Sequence, residues 1–281
     1  MYEVIFLWLL ALIYILFAVF QDIKTREIAN WLSFSLIIFA LGFRFFYSLF
    51  EGESFVFFYQ GLIGLGIFFI LGNLLYYSRV FAGGDAKMMI ALGTILPNFT
   101  ILSKNLQSSF DFLLIFLCIG FIYIIISSII LCIKNFKAFK KEFLSQLNKN
   151  KLLMIGILFL SVILLGLGFL EKIFFSFGIL TFVTCYLYLY SKAIDEACMI
   201  KRISTKNLRE GDWLYSNLKI GKRMIKAKWE GVSKKEIKEI RKRYREVKIR
   251  HGVAFSPVFL ISFIFFVILN ILNLRLWNPF W

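Results

Sequence analysis

Long apolar runs alternate with short charged segments from one end of the chain to the other. The first run covers 4–20 and stops at Gln21-Asp22-Ile23-Lys24-Thr25-Arg26-Glu27-Ile28-Ala29-Asn30. It lacks the small-residue cleavage site of a removable signal, so the pattern predicts a first membrane span. Further spans are predicted at about 31–50, 55–77, 87–96 and 110–133. The turn Glu51-Gly52-Glu53 separates the second from the third, and Ser78 to Asp85 forms the polar turn before the fourth. The fourth is short and ends at Pro97-Asn98. Runs at 152–170 and 173–190 read as a helical hairpin turning at Glu171-Lys172, and a last span is predicted at 255–272 before an aromatic tail at 277–281. Arg44, near the far end of the second span, is expected to snorkel to the interface. Gly61, Gly64 and Gly66 in the third are expected at close helix contacts.

The predicted architecture is an all-α polytopic membrane protein of about eight transmembrane helices, six to eight in all, with a small cytoplasmic polar domain before the last helix. Its divisions are 1–133 for the catalytic helices, 134–151 for a basic cytoplasmic loop, 152–190 for the hairpin, 191–252 for the polar domain and 253–281 for the last helix and tail. Composition agrees, since 60% of the 281 residues are hydrophobic and 19% aromatic, which excludes an ordinary soluble domain. Cys118, Cys132, Cys185 and Cys198 show no C-x-x-C spacing. Buried thiols are therefore expected, and no disulfide frame or metal site.

Charge then orients the chain. With the N-terminus outside, the inward segments 21–30, 78–87, 134–151 and 192–250 hold 29 of the 33 Lys and Arg. Arg44, Lys104, Lys172 and Arg275 remain outside. The positive-inside rule favours this arrangement, with both termini outside, and it accounts for the net charge of +16 without nucleic acid. Within 192–250 the 19 basic residues exceed the acidic ones by 11. Lipid headgroups are the expected contact for this surface. Residues 231–250 read as a charged helix with Ile237, Ile240, Tyr244 and Val247 as its apolar stripe.

The same topology brings Asp22 and Asp85 to one cytoplasmic boundary. Two close carboxylates cannot both ionise cheaply, so such a pair holds a proton between them and is suited to activating water. Taken singly, Asp22 also reads as a solvated loop residue and Asp85 as a helix N-cap. A proton relay in a transporter is a further reading of the two acids, although that class is expected to carry internal repeats. His251 is expected to be structural.

The residues around both acids resemble a known family. Phe81-Ala82-Gly83-Gly84-Asp85-Ala86-Lys87-Met88-Met89 is similar to the second catalytic motif of the GxGD membrane aspartyl proteases, in the form used by type IV prepilin and archaeal preflagellin peptidases. Asp22 through Asn30 resembles that family's first motif, in which an Asp is followed by an Arg and then Ile-Pro-Asn. Ala82 stands where the motif's first Gly would be, and Ala29 where Pro is usual. Leu208-Arg209-Glu210-Gly211-Asp212, Gly231-Val232-Ser233-Lys234-Lys235-Glu236-Ile237 and His251-Gly252-Val253-Ala254-Phe255-Ser256-Pro257 resemble the C-terminal region of archaeal relatives. The resemblance implies Asp22 and Asp85 as catalytic residues, Gly83 and Gly84 as the supporting turn, and no cofactor. It implies preflagellin or prepilin-like precursors as partners, and the missing C-x-x-C pair implies no methyl transfer.

Overall fold

Apolar helices and one small mixed domain make up the structure, a computed structural model that describes residues 2–50, 55–98, 101–221, 223–272 and 274. In order the helices are α1 (Tyr2–Thr25), α2 (Asn30–Phe50), α3 (Val56–Tyr77), α4 (Gly83–Leu92), α5 (Leu102–Lys134), α6 (Phe136–Lys149), α7 (Lys151–Leu167) and α8 (Lys172–Cys198). Strands β1 (Ile200–Ser204), β2 (Trp213–Leu214), β3 (Leu218–Ile220) and β4 (Arg223–Ile225) precede α9 (Lys234–Arg243). Strand β5 (Glu246–Arg250) and α10 (Ser256–Ile271) complete the described elements. The expected Glu51-Gly52-Glu53 turn, Arg275 and the aromatic tail lie outside the described residues.

Two compact units result, residues 1–124 with 254–281, and residues 125–253. Among the described residues, α1, α2, α3, α5 and α8 are each long and apolar enough to cross a bilayer. A sixth crossing results if α6 and α7, bent by 78° at Asn150, count as one. The all-α polytopic membrane architecture read from the sequence therefore stands, with up to six crossings among the described residues, at the lower end of the expected six to eight.

The fourth predicted span accounts for part of the difference from eight. Helix α4 has only 10 residues, about 15 Å against the roughly 30 Å of a hydrocarbon core. Past its end, Gly93 packs backbone to backbone on Gly64 of α3. A Cβ built on Gly93 would lie 2.6 Å from the Gly64 carbonyl oxygen, and one built on Gly64 would strike Gly93 O and the Pro97 ring. These two positions have no room for a side chain. Gly61 is equally close to Arg44, whereas Gly66 faces open space and does not serve the packing role expected of it.

Ending a helix inside an apolar bundle leaves carbonyls without partners, which lipid cannot satisfy. Arg44 supplies them. Its Nε donates to Thr94 O at 2.8 Å, Nη2 to Ile95 O at 3.3 Å and to Pro97 O, and Nη1 to Phe57 O at 2.9 Å. The guanidinium also lies 4.3 Å from the centroid of the Phe57 ring. Arg44 is 0% exposed, so it turns inward to cap the broken helix and does not snorkel. The five fixed donors of a guanidinium fit a cluster of carbonyls in a way an ammonium cannot.

The second unit departs from the sequence reading in two places. Residues expected as a basic loop at 134–151 form α6, whose Phe139 packs on Phe143 and Tyr190. In the polar domain the predicted 231–250 helix stops at Arg243. Residues 246–250 form instead the central strand of an antiparallel sheet ordered β1-β5-β2. The reason is a change of period, since Val247 and Ile249 are buried while Glu246 and Lys248 are exposed, a two-residue alternation that suits a strand. Helix α9 keeps Ile237 and Ile240 in the domain core, and a Ser233/Glu236 capping box starts it. The two C-terminal motifs pair with each other, Gly211 N–H to Val232 O and Val232 N–H to Asp212 O, both 3.0 Å. All four cysteines are free thiols.

Arg44→Met is expected to strand several buried carbonyls at once and to cost about 3 kcal/mol or more of stability. Arg44→Lys should recover only part of that loss. Thermal unfolding of the detergent-purified full chain checks both, and a wild-type midpoint for Arg44→Met would refute the capping role.

Candidate active site

Both acids lie at helix ends in the first unit. Asp22 is in the last turn of α1 and Asp85 in the first turn of α4. They are 8% and 9% exposed, and the loop that follows Asp22 packs through Ile28 on Gly84, the residue before Asp85. The structure thus brings together the two aspartates singled out in the sequence.

The loop leaving α1 is built around Gln21. Its Oε1 accepts the Ala29 N–H at 3.1 Å, and Thr25 Oγ1 donates to Gln21 O at 2.8 Å and to Glu27 O at 3.1 Å. Arg26 takes a left-handed conformation with φ of 60°, and its N–H bonds Asp22 O at 2.8 Å. Ala29 matters here, because a proline at that position would have no N–H to give Gln21.

Asn30 then opens α2, and its Oδ1 accepts from Lys87 Nζ at 2.6 Å. This contact ties the start of α2 to α4. Sequence reasoning did not single out Gln21 or Lys87, and their signal was only their place inside the two motifs.

The glycine turn works differently from the sequence expectation. Neither Gly83 nor Gly84 has a positive φ, the three such glycines among the described residues being Gly211, Gly221 and Gly231. Both are ordinary helical residues in the first turn of α4. What singles out Gly84 is proximity: a Cβ there would sit 3.1 Å from the Ile28 Cβ and 3.5 Å from its backbone nitrogen. A Cβ on Gly83 would meet only the Tyr76 ring, at 3.7 Å. So Gly84 admits the loop that carries the first motif, and Gly83 has no comparable steric need. Ala82, with φ −71° and ψ 161°, is extended backbone that any residue adopts.

The last helix closes the site from another side. The backbone N–H of Ser256 donates to Asp22 Oδ2 at 3.1 Å across 234 residues of sequence. Phe81, immediately before the glycine turn, packs on Phe116, Phe255 and Phe259 with ring centroids 5.8, 5.9 and 6.2 Å apart. Among the described residues, no cluster of three or more His, Cys, Asp or Glu could hold a metal ion.

Fold and site together define a multi-pass membrane protein whose buried centre is a pair of aspartates. Residues 6–133 match the model of the type IV leader peptidase family, a stretch that contains both acids. The chain is similar to a preflagellin peptidase of Methanocaldococcus jannaschii, 31% identical over 85 residues, which are 30% of this chain and 36% of that protein. It is 34% identical over 79 residues to a preflagellin peptidase of Methanococcus maripaludis, or 28% of this chain and 34% of that one. A prepilin peptidase of Methanothermobacter thermautotrophicus is 34% identical over 88 residues, 31% of this chain and 23% of its own length. The alignments thus span about a third or less of each relative. No solved structure matches the chain. The family resemblance read from Asp22 through Asn30 and Phe81 through Met89 holds.

Gly84→Val is expected to push the 26–30 loop off α4 and to destabilise the protein by about 1–3 kcal/mol, the usual cost of overpacking. Gly83→Ala and Ala82→Gly should stay within about 1 kcal/mol of the parent. Thermal unfolding of the three purified variants tests the ranking, and equal midpoints for Gly83→Ala and Gly84→Val would defeat it.

Proposed function

We propose that the protein is an aspartic-type membrane endopeptidase that removes the basic leader peptide of preflagellin or type IV pilin-like precursors. The observation that carries this reading is the convergence of two nearly buried aspartates, Asp22 and Asp85, from opposite ends of two helices. A match of residues 6–133 to the type IV leader peptidase family, and relatives named for preflagellin and prepilin processing, support it.

Mechanistically, the reading assigns the pair one shared proton, since two neighbouring carboxylates cannot both ionise cheaply. The ionised member takes a proton from water as that water attacks the scissile carbonyl. The protonated member gives its proton to the carbonyl oxygen, the proton taken from water passes to the leaving amine, and collapse of the intermediate returns the first proton to the pair. Closure of the surrounding helices keeps bulk water away, which strengthens each electrostatic contact. Lys24, Arg26, Arg79 and Lys87 flank the two acids in sequence. By the positive-inside rule this end of the bundle faces the cytoplasm, where a basic leader lies. The lysines of α6 and the basic polar domain then meet anionic lipid headgroups, with both termini outside.

Asp22→Asn and Asp85→Asn are each expected to abolish cleavage, a loss of at least about a thousandfold, while folding is retained, because an amide cannot carry the transferred proton. Co-expression with an archaeal preflagellin or prepilin, followed by mass measurement of the mature N-terminus, reads this directly. Near-normal turnover by either variant would exclude the dyad. A reporter tag inserted in 134–151 or in 192–250 should report cytoplasm, and an exterior signal from either would reverse the assigned orientation.

A further inference from the structure

Asp22 has an unfavourable position in its own helix. It lies in the last turn of α1, where the helix dipole presents its negative end and disfavours a carboxylate. The first turn of α10 answers this with the opposite pole. Ser256 is the first residue of that helix, 1% exposed, and its N–H donates to Asp22 Oδ2 at 3.1 Å. The Ser256 hydroxyl, three bonds from that nitrogen, is buried with no hydrogen-bond partner. A buried hydroxyl without a partner is costly and calls for a reason.

The donor is held firmly in place. Phe255 packs its ring on Phe81, Phe116 and Tyr123 at 5.9, 5.8 and 6.4 Å between centroids, and Tyr123 Oη donates to Ala254 O at 2.7 Å. Pro257 suits a first turn, which has no use for its missing N–H. The charged groups near Asp22 are few. Asp85 acts on it from α4, and Lys87 of the same helix is engaged with Asn30 of α2. Lys24 of α1 lies over the Phe20 ring at 5.8 Å, and Arg26 and Glu27 follow in the loop that leaves α1. Helix α10 has no ionisable side chain. Its influence on Asp22 therefore passes through Ser256.

We infer that Ser256 is a third residue of the site, a positioning residue whose N–H orients the Asp22 carboxylate and whose hydroxyl supplies a second donor to it when substrate is bound. The inference rests on the peptidase reading. It explains how a helix remote in sequence from both motifs takes part in the chemistry. A donor aimed at one carboxylate oxygen fixes which way the Asp22 carboxylate faces.

The test measures cleavage of a precursor peptide, basic leader followed by apolar helix, by the full chain in detergent. Three variants are compared: a backbone amide-to-ester replacement at position 256, Ser256→Ala and Ser256→Thr. Losing the N–H should lower kcat on the order of tenfold or more, the scale of a hydrogen bond to a charged group. KM should stay within about threefold, so the loss falls on kcat, as a positioning role requires and a binding role does not. Ser256→Ala should lose several-fold in kcat, and Ser256→Thr, which restores the hydroxyl, should return close to wild type. An ester variant with wild-type kcat overturns the inference. So does a Ser256→Thr variant as impaired as Ser256→Ala, since packing would then be the cause. If the ester variant does not fold, the Ala and Thr pair decides alone. Failure of the unmodified protein to cleave any leader defeats the peptidase reading, and this inference with it, whereas active wild type with inactive Asp variants isolates the role of Ser256.

Discussion

A guanidinium buried among carbonyls is the constraint on which the aspartate-bearing bundle depends. Helix α4 stops after 10 residues, well short of a bilayer's width. Its backbone then turns through Gly93 to Pro97 inside packed protein, a route open only if every carbonyl there finds a donor. Arg44 reaches Thr94, Ile95, Pro97 and Phe57 with one side chain. That capping lets a short helix end at a fixed depth, pressed against α3 at the Gly64–Gly93 contact. With its far end fixed, the near end of α4 presents Asp85 reproducibly.

At that near end, four helix termini meet. The C-terminus of α1 brings Asp22, the N-terminus of α2 brings Asn30, that of α4 brings Asp85 and Lys87, and that of α10 brings Ser256. Sites made from helix termini are rich in oriented N–H groups, and such groups stabilise carboxylates without the mobility of solvent. Only Gly84, among the residues of the turn, leaves space for Ile28 and hence for the loop bearing the first motif. The Gln21–Ala29 bond gives that loop its shape.

The polar domain shows how motif and function can part. Residues 208–212 and 231–237, singled out in the sequence, bond to each other and to the domain's own core. Gly231, with φ of +77°, stands where any Cβ would collide with the Gly211 backbone. These residues hold a small sheet and one capped helix together.

Much of the architecture was written in the chain as period and charge. Long apolar runs specify spans whatever their neighbours, because lipid demands internal hydrogen bonding of each segment separately. The spacing of charges puts Asp22 and Asp85 at one boundary, and their motifs mark them as a pair. Three features were decided only by tertiary structure. Arg44 reads as an interfacial residue until the carbonyls of residues 94–97 fold around it. Residues 246–250 read as helix until pairing with β1 and β2 rewards their two-residue alternation. Ser256 carries no signal of its own, since its partner lies 234 residues away. In each case the deciding contact is between groups far apart in sequence, and a local pattern holds no record of a distant partner.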